Sequence, residues 1–343
     1  RAFPASAVCR EAAHPVLDQR AIDATGELLE WVNAIPADAH VVVLLSGGGS
    51  ALLERPVNGV SLDEFQTLTR ELLRAGADIH ELNSVRSRVS LVKGGGLRAA
   101  IPSDRVVTLA LSDVLGNDPS VIASGPTVPI TQHAAQALSV LDRLNVRDRI
   151  PASILQALEE SVRPEIINYP DDRFVIVADN SLAVQAAADH LRDAGYDVEI
   201  RDQIPTGEAR EIAASWVQSL PETDHRRPKA ILAGGELTVT VRGEGLGGRN
   251  TEFAFAAARE LDDRDITGWT VASLATDGQD AMTGAAGAIV DSTSAVTMRK
   301  QGLDLAAALD ENDTCPPLDQ IGATVRTGPT GTNVNDLYFA VQV

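Results

Sequence analysis

Apolar runs recur along this chain, and each gives way abruptly to glycine, serine, threonine or aspartate. Val41 to Leu45 runs into Ser46-Gly47-Gly48-Gly49-Ser50, and Arg105 to Leu111 into Ser112-Asp113. Ala230 to Ala233 runs into Gly234-Gly235-Glu236, and Trp269 to Ala275 into Thr276-Asp277-Gly278. A short branched apolar run bounded by turn residues predicts a strand buried on both faces, as in the centre of a parallel sheet. Between the runs lie patterns at helical spacing. Ser61 and Glu64 form a capping box, Leu62, Phe65, Leu68 and Leu72 follow at helical spacing, and Gly76 closes the helix. Further helices are expected at His133 to Leu144, from Pro151, at Ser181 to Asp193, at Glu208 to Ser219 and at Thr251 to Leu261. Arg173 to Ala178 and Asp197 to Ile200 read as strands, Thr238 to Val241 as a half-exposed antiparallel strand, and Leu337 to Val343 as a closing apolar stretch. Strands alternating with helices predict an α/β fold with mostly parallel sheets, whose ligands bind beyond the carboxyl ends of the strands.

A chain of 343 residues exceeds the range of a single core, so two α/β domains are expected, at 1–170 and 171–343. Cys9 and Cys315 stand near opposite ends and make no CxxC pair, which leaves no disulfide framework or zinc motif and fits a reducing cytoplasm. No apolar run reaches membrane-spanning length and no secretory pattern opens the chain. It begins at Arg1, which suggests that an N-terminal piece has been trimmed. A formal charge of -19 repels a nucleic-acid backbone, and no local basic patch opposes it. Only Lys93, Lys229 and Lys300 are lysines, as in a GC-rich or salt-adapted source.

The glycine junctions are candidates for holding phosphate, because glycine lets backbone N–H groups converge on an anion. The candidates are Ser46, Gly47, Gly48, Gly49 and Ser50; Gly94 and Gly95; Gly235 and Glu236; and Thr330, Gly331, Thr332 and Asn333. A single glycine turn is more often a plain connection, and repetition at strand ends is what favours ligand binding. Lys93 precedes Gly94-Gly95-Gly96, with Asn83 and Arg86 just upstream; cations beside backbone donors suit a phosphoryl group or a carboxylate. The bland alternative is a solvated basic helix face. Asp113 and Asp118 are the candidates for magnesium, and Asp277 for the base that takes a hydroxyl proton.

Gly243-Glu244-Gly245-Leu246-Gly247-Gly248 satisfies G-x-G-x-x-G and raises a nicotinamide-dependent reductase as the rival reading. The preceding run alternates threonine with valine, however, and Asp262, Asp263 and Asp265 end a helix where a ribose-binding acid needs a strand end. Arg249, directly after these glycines, would instead begin a helix and neutralise charge on a transferring phosphoryl group. Ser50 lies in G-G-G-S-A rather than G-x-S-x-G, no histidine stands out as its base, and no Walker motif occurs.

Taken together, Leu45 to Leu52, Asn83 to Arg86, Ser90 to Gly95, Ser112-Asp113-Val114, Ile122 to Thr127, Gly234 to Glu236, Gly247 to Asn250, Thr276 to Gly278 and Gly328 to Asp336 resemble the class II, MOFRL-type glycerate kinases. The resemblance covers essentially the whole chain. It implies a larger Rossmann-like domain and a smaller MOFRL-type domain at about 228–340, with an active-site cleft between them. It implies transfer of the ATP γ-phosphate to D-glycerate, giving 2-phosphoglycerate, with ATP and Mg²⁺ as cofactors. Arg249 matches an arginine proposed to be catalytic in the family. Lys93 and Asp277 join it as catalytic candidates, and Asn83 and Arg86 as anchors for the substrate carboxylate. The family's glycine-lysine-alanine lysine, upstream of the block that His14-Pro15-Val16-Leu17-Asp18 resembles, has no counterpart here; a missing first strand and helix, or a catalytically silent nucleotide-binding homologue, would each explain that. Expected partners are glycerate and nucleotide, with no nucleic acid and no membrane; a homodimer is compatible with the sequence.

Overall fold

The computed structural model describes residues 7–129, 134–160, 169–202, 206–222 and 228–342. The chain divides into two compact units, Arg1–Val177 and Ala178–Val343. In the first unit the helices are α1 (Gln19–Asn33), α2 (Gly49–Leu52), α3 (Leu62–Arg74), α4 (Ile79–Arg88), α5 (Gly96–Ala100), α6 (Ala134–Arg143) and α7 (Ala152–Glu159). Its strands β1 (His40–Leu45), β2 (Arg105–Leu111) and β3 (Arg173–Ala178) form one sheet in the order β1-β2-β3. β1 and β2 run parallel, with His40 opposite Arg105 and Leu45 opposite Ala110. β3, which the sequence placed at the start of the second domain, therefore belongs to the first sheet.

The capping box of α3 forms as read: Ser61 accepts from the Glu64 N–H, and the Glu64 carboxylate accepts from the Ser61 N–H. Its apolar stripe, Phe65, Leu68 and Leu72, packs with Leu82 and Val85 of α4, Leu141 of α6 and Ile154 of α7. A second cluster joins Val32, Val92, Leu97, Ile101 and Val106 with the inward face of β1. β1 departs from expectation. Among the described residues it pairs on one side only, with β2, and its residues alternate between exposed and half-buried, Val42 and Leu44 being exposed. Continuous apolarity could not distinguish this position from a central strand.

The second unit contains β4 (Asp197–Ile200), β5 (Lys229–Gly235), β6 (Trp269–Ala275), β7 (Gly287–Asp291), β8 (Thr324–Val325) and β9 (Asp336–Gln342). They form a sheet of order β4-β5-β9-β6-β7-β8. β4 and β5 are parallel, while the pairs β5/β9, β9/β6, β6/β7 and β7/β8 are antiparallel. β4, β5, β6 and β8 thus share one direction, as alternation predicts. β9 arrives from the C-terminus and inserts between β5 and β6 in the opposite direction, and β7 returns from β6 through a local connection. Both depend on long-range or turn geometry that a run of apolar residues does not encode.

α8 (Asn180–Asp193) covers one face through Val184 and Ala188 against Ala230 and Leu232. α9 (Ala209–Gln218) and α10 (Arg249–Asp263) cover the other, with Trp216, Phe253, Ala257 and Leu261 packed on Ile231, Val271 and Tyr338. α11 (Ser294–Lys300), α12 (Leu305–Asp310) and α13 (Cys315–Gln320) surround α10, so nearly all of its length is buried. Alanines at 254, 257 and 258 allow this close approach. Thr238 to Val241 does not join the sheet. Thr238 makes an isolated parallel bridge to Glu208, and the Glu208 carboxylate then takes the Thr240 N–H and hydroxyl, which draws that backbone out of a ladder. His133, Val343 and most of the turn-rich 221–228 stretch lie outside the described residues.

Candidate active site

In the first unit, the parallel register pairs Leu45 with Ala110, so Ser46 and Ser112 follow the neighbouring ends of β1 and β2 one residue out of step. The loop after β1 turns sharply at Gly48, whose φ of 81° is left-handed, and a Cβ on Gly49 would lie 2.7 Å from that of Ala123. Glycine is therefore required twice in this loop. No acceptor among the described residues takes the N–H of Gly47 or Gly48. Ser50 is the hub of the cluster. Its hydroxyl lies 2.8 Å from that of Ser124 and accepts from Arg86 Nη1 at 3.3 Å, while its carbonyl accepts from Lys93 Nζ at 2.7 Å. Ser124 in turn donates to Asn83 Oδ1 at 3.0 Å. Ala123 and Ser124 both have positive φ, at 51° and 62°, strain of about 1–3 kcal/mol each that aims the Ser124 hydroxyl at this cluster.

Lys93 is fully buried and lies 3.4 Å from the equally buried Glu54, which also accepts from Ser90 at 2.6 Å. The solvated-face alternative for Lys93 is thereby excluded. Desolvation holds its ammonium down to about 8, against the opposing pull of Glu54. Arg86 is only 8% exposed, its Nε has no hydrogen-bond partner, and burial likewise lowers its pKa. Asn83 Nδ2 is also buried without a partner. Arg86 and Lys93 against Glu54 leave one uncompensated positive charge in a desolvated place, which calls for an anion.

Two glycine assignments need correction. The N–H groups of Gly94 and Gly95 donate to the carbonyls of Ser124 and Gly125, at 2.9 and 2.7 Å. Those amides hold the 123–125 turn in place and do not face a ligand. Asp113 is partly buried and its pKa is raised by that burial, with His14 pulling the other way. Asp118 accepts from the N–H and hydroxyl of Ser120, at 2.8 and 2.7 Å. Among the described residues no three histidine, cysteine or acidic side chains gather as a metal centre; magnesium commonly takes only one or two protein carboxylates alongside phosphates.

In the second unit, the sheet register puts Gly235 and Ala275 on either side of Asp336. The ends of β5 and β6 thus meet the start of β9, next to the first residue of α10. Arg249 donates to the fully buried Asp336 through Nε at 2.5 Å and Nη2 at 3.2 Å, and its Nη1 reaches Glu236 at 2.9 Å. Burial alone would lower the guanidinium's pKa; the bonds and charge of Asp336, with Glu236, more than reverse this and raise it. Burial pushes the Asp336 carboxyl upward against Arg249 and Asn250. Asn250 Nδ2 donates to Asp336 at 3.1 Å, its Oδ1 accepts from Ser273 at 2.6 Å, and Tyr338 donates to Asp336 at 3.3 Å. Arg249 remains 33% exposed, so a cation gripped from behind still reaches solvent.

The N-terminus of α10 is not vacant for phosphate. The buried Asp280 carboxylate accepts from the Asn250 N–H at 3.0 Å and the Thr251 N–H at 2.7 Å. The G-x-G-x-x-G match is likewise committed to the protein. A Cβ on Gly243 would lie 2.5 Å from Glu311 Cα, one on Gly247 would lie 2.6 Å from the Asn312 carbonyl, and Gly245 donates to the Glu311 carbonyl at 2.9 Å. These glycines admit the 311–314 turn, not a dinucleotide. Asp277 accepts from the Gln279 N–H at 2.8 Å, and its carbonyl accepts from the Thr330 N–H at 3.1 Å, so the 276–278 and 330–333 loops lie together. Thr330 also donates to the Thr276 carbonyl at 2.6 Å, and Asn333 accepts from the Asn335 N–H at 3.1 Å.

Sequence reasoning missed Glu54, Ser124, Asp280 and Asp336. Ser124 and Asp336 lay inside blocks that carry the family resemblance, a signal that could have singled them out. Glu54 and Asp280 have no local signature, because each is defined by partners distant in sequence.

Residues 3–159 match the family described as Domain of unknown function (DUF4147), and residues 229–336 match the MOFRL family. The chain is 39% identical over 338 residues to D-glycerate 2-kinase of Thermotoga maritima, covering 97% of this chain and 79% of that protein. It is 36% identical over 342 residues to glycerate 2-kinase of Pyrococcus horikoshii, covering 96% and 77%. A crystal structure of glycerate kinase from Thermotoga maritima superposes with a TM-score of 0.87 at 39% identity, over 97% of this chain and 80% of that one. With its sequence, its fold and the order of its junctions all in agreement, the chain belongs to the MOFRL-type glycerate kinase family.

Proposed function

We propose that this protein transfers the γ-phosphate of ATP to D-glycerate, giving 2-phosphoglycerate and ADP, in the cytoplasm. The observation that carries the reading is the grip on Arg249. Two of its five N–H groups are spent on a buried carboxylate and one on Glu236, which leaves donors on its exposed edge for phosphoryl oxygens. A guanidinium fixed before the reaction neutralises charge as it develops, without reorganisation. Gly235 and Glu236 at the end of β5, with Thr330, Gly331, Thr332 and Asn333, would position phosphate.

In the first unit, Asn83 and Arg86 would anchor the acid's carboxylate, since each offers a buried donor without a partner. Ser46, Gly47, Gly48, Gly49 and Ser50 supply hydroxyls and amides for phosphoryl oxygens. Lys93 acts through Ser50, whose carbonyl it holds. Magnesium would be held by Asp113 and Asp118, where it would offset phosphate charge. Asp277 is assigned as the base for the acceptor hydroxyl. A coupled assay should show ADP release that requires both D-glycerate and Mg²⁺. No ADP release with both present would refute the kinase, and NADH oxidation by hydroxypyruvate would restore the reductase.

A further inference from the structure

The buried hydroxyl of Ser124 stands between two side chains, Ser50 and Asn83, that lie 74 and 41 positions away along the chain. A serine hydroxyl has one proton to give and two lone pairs to offer. Ser50 Oγ is approached by two cations, Arg86 Nη1 at 3.3 Å and Lys93 Nζ at 3.5 Å, and these take its lone pairs. Its proton is therefore turned away from them, onto Ser124 Oγ at 2.8 Å. Having accepted there, Ser124 donates its own proton to Asn83 Oδ1 at 3.0 Å. Charge at one end of the relay thus sets the orientation of every group along it. The backbone supports the same conclusion. Ser124 has a φ of 62°, where glycine would be unstrained, so a serine kept at this position marks a need for its side chain.

The consequence falls on Asn83, because an amide has an accepting end and a donating end of nearly the same shape. With Oδ1 held by Ser124, the outer end is Nδ2, which is buried without a partner, as is Arg86 Nε one helical turn along α4. Both groups donate. They suit a carboxylate, which accepts at either oxygen, and oppose a carboxamide, which must set an N–H against one of them.

We propose that Ser124 is a positioning residue that locks the Asn83 amide with its N–H groups outward, and so makes the site selective for an ionised carboxylate over the corresponding neutral amide. The proposal rests on the reading of Asn83 and Arg86 as the anchors of the acid. Ser124→Gly deletes the hydroxyl and relieves the backbone, whereas Ser124→Ala deletes it and keeps the strain. Calorimetry with D-glycerate, and with D-glyceramide as a competing ligand, reads both affinities without requiring turnover. In both variants D-glycerate should bind at least about tenfold more weakly, while D-glyceramide binds no more weakly because the amide can now turn to accept from it. KM for D-glycerate should follow its Kd, with kcat within about threefold of the parent. An unchanged ratio of the two affinities would overturn the proposal, whether neither ligand is affected or both weaken together as a loosened fold would cause. If the ratio shifts but the parent releases no ADP, the role of Ser124 stands and the kinase reading falls. If the parent turns over and the ratio holds, the reverse is true. A parent that binds no D-glycerate would overturn both.

Discussion

Arg249 and Asp336 show how a single side chain can decide whether another is useful. A guanidinium held at two points loses its freedom to swing, and misplacement by about 1 Å can cost on the order of 10²-fold in rate. Asp336→Asn should therefore lower kcat about 10²-fold while leaving KM for glycerate little changed, and Arg249→Lys should not restore the rate because an ammonium cannot reproduce the fork. Steady-state kinetics on both variants, with thermal melting to confirm folding, checks this. Lys93 offers a different test. Burial holds its pKa at about 8, against 10.5 for an unperturbed lysine, so between these values the unfolded chain binds more protons than the native one. Unfolding free energy should then rise with pH across that window, by about 3 kcal/mol at most, because the native state no longer carries a desolvated charge. Guanidinium titrations at pH 7, 8, 9 and 10 should show the rise in the parent relative to Lys93→Met, which lacks the group.

At the scale of elements, helix caps separate stability from chemistry. Asp304 caps α12 on the surface, accepting from the N–H groups of Ala306 and Ala307. Asp304→Ala should cost about 1 kcal/mol, read by chemical denaturation, with kcat unchanged. Asp280 uses the same kind of bond at the start of α10, but it is buried and its carboxylate also fixes the residue following Arg249. Asp280→Ala should cost about 2 kcal/mol and reduce kcat as well. The glycines at 243, 245 and 247 belong to this scale too. Their spacing matched a dinucleotide loop, yet each permits the 311–314 turn to approach, a role visible only once that turn is packed against them.

For the whole molecule, a charge of -19 sets a general repulsion that acts against compaction. Salt shortens the reach of that repulsion, so raising NaCl from low to physiological concentration and beyond should raise Tm by several degrees. A falling Tm would show that attractive pairs, such as the surface bridges of Arg147 to Asp142 and Glu159, outweigh it. The helices α3 and α6 to α10 and the longer strands were legible in the sequence because apolar period and caps are local properties: β2, β3, β4 and β6 begin and end where the residues indicated, whereas β7, β8, α1, α4 and the short helices α11 to α13 were not read. Partnership was not legible. Among the described residues β1 pairs on one side only despite its unbroken apolar run, and β3 joins the first sheet.

The sequence alone determined where backbone would turn, which segments had apolar faces, and that glycine junctions at strand ends would repeat in an order shared with one kinase family. Only the tertiary structure decided that β9 enters between β5 and β6 and sets Asp336 behind Arg249, 87 positions away along the chain. It likewise decided that Lys93 lies buried against Glu54 and that the amides of Gly94 and Gly95 are already taken. The reason is physical. Periodicity and capping are settled within a turn or two of chain, whereas the environment of a charge depends on which distant segments exclude water from it.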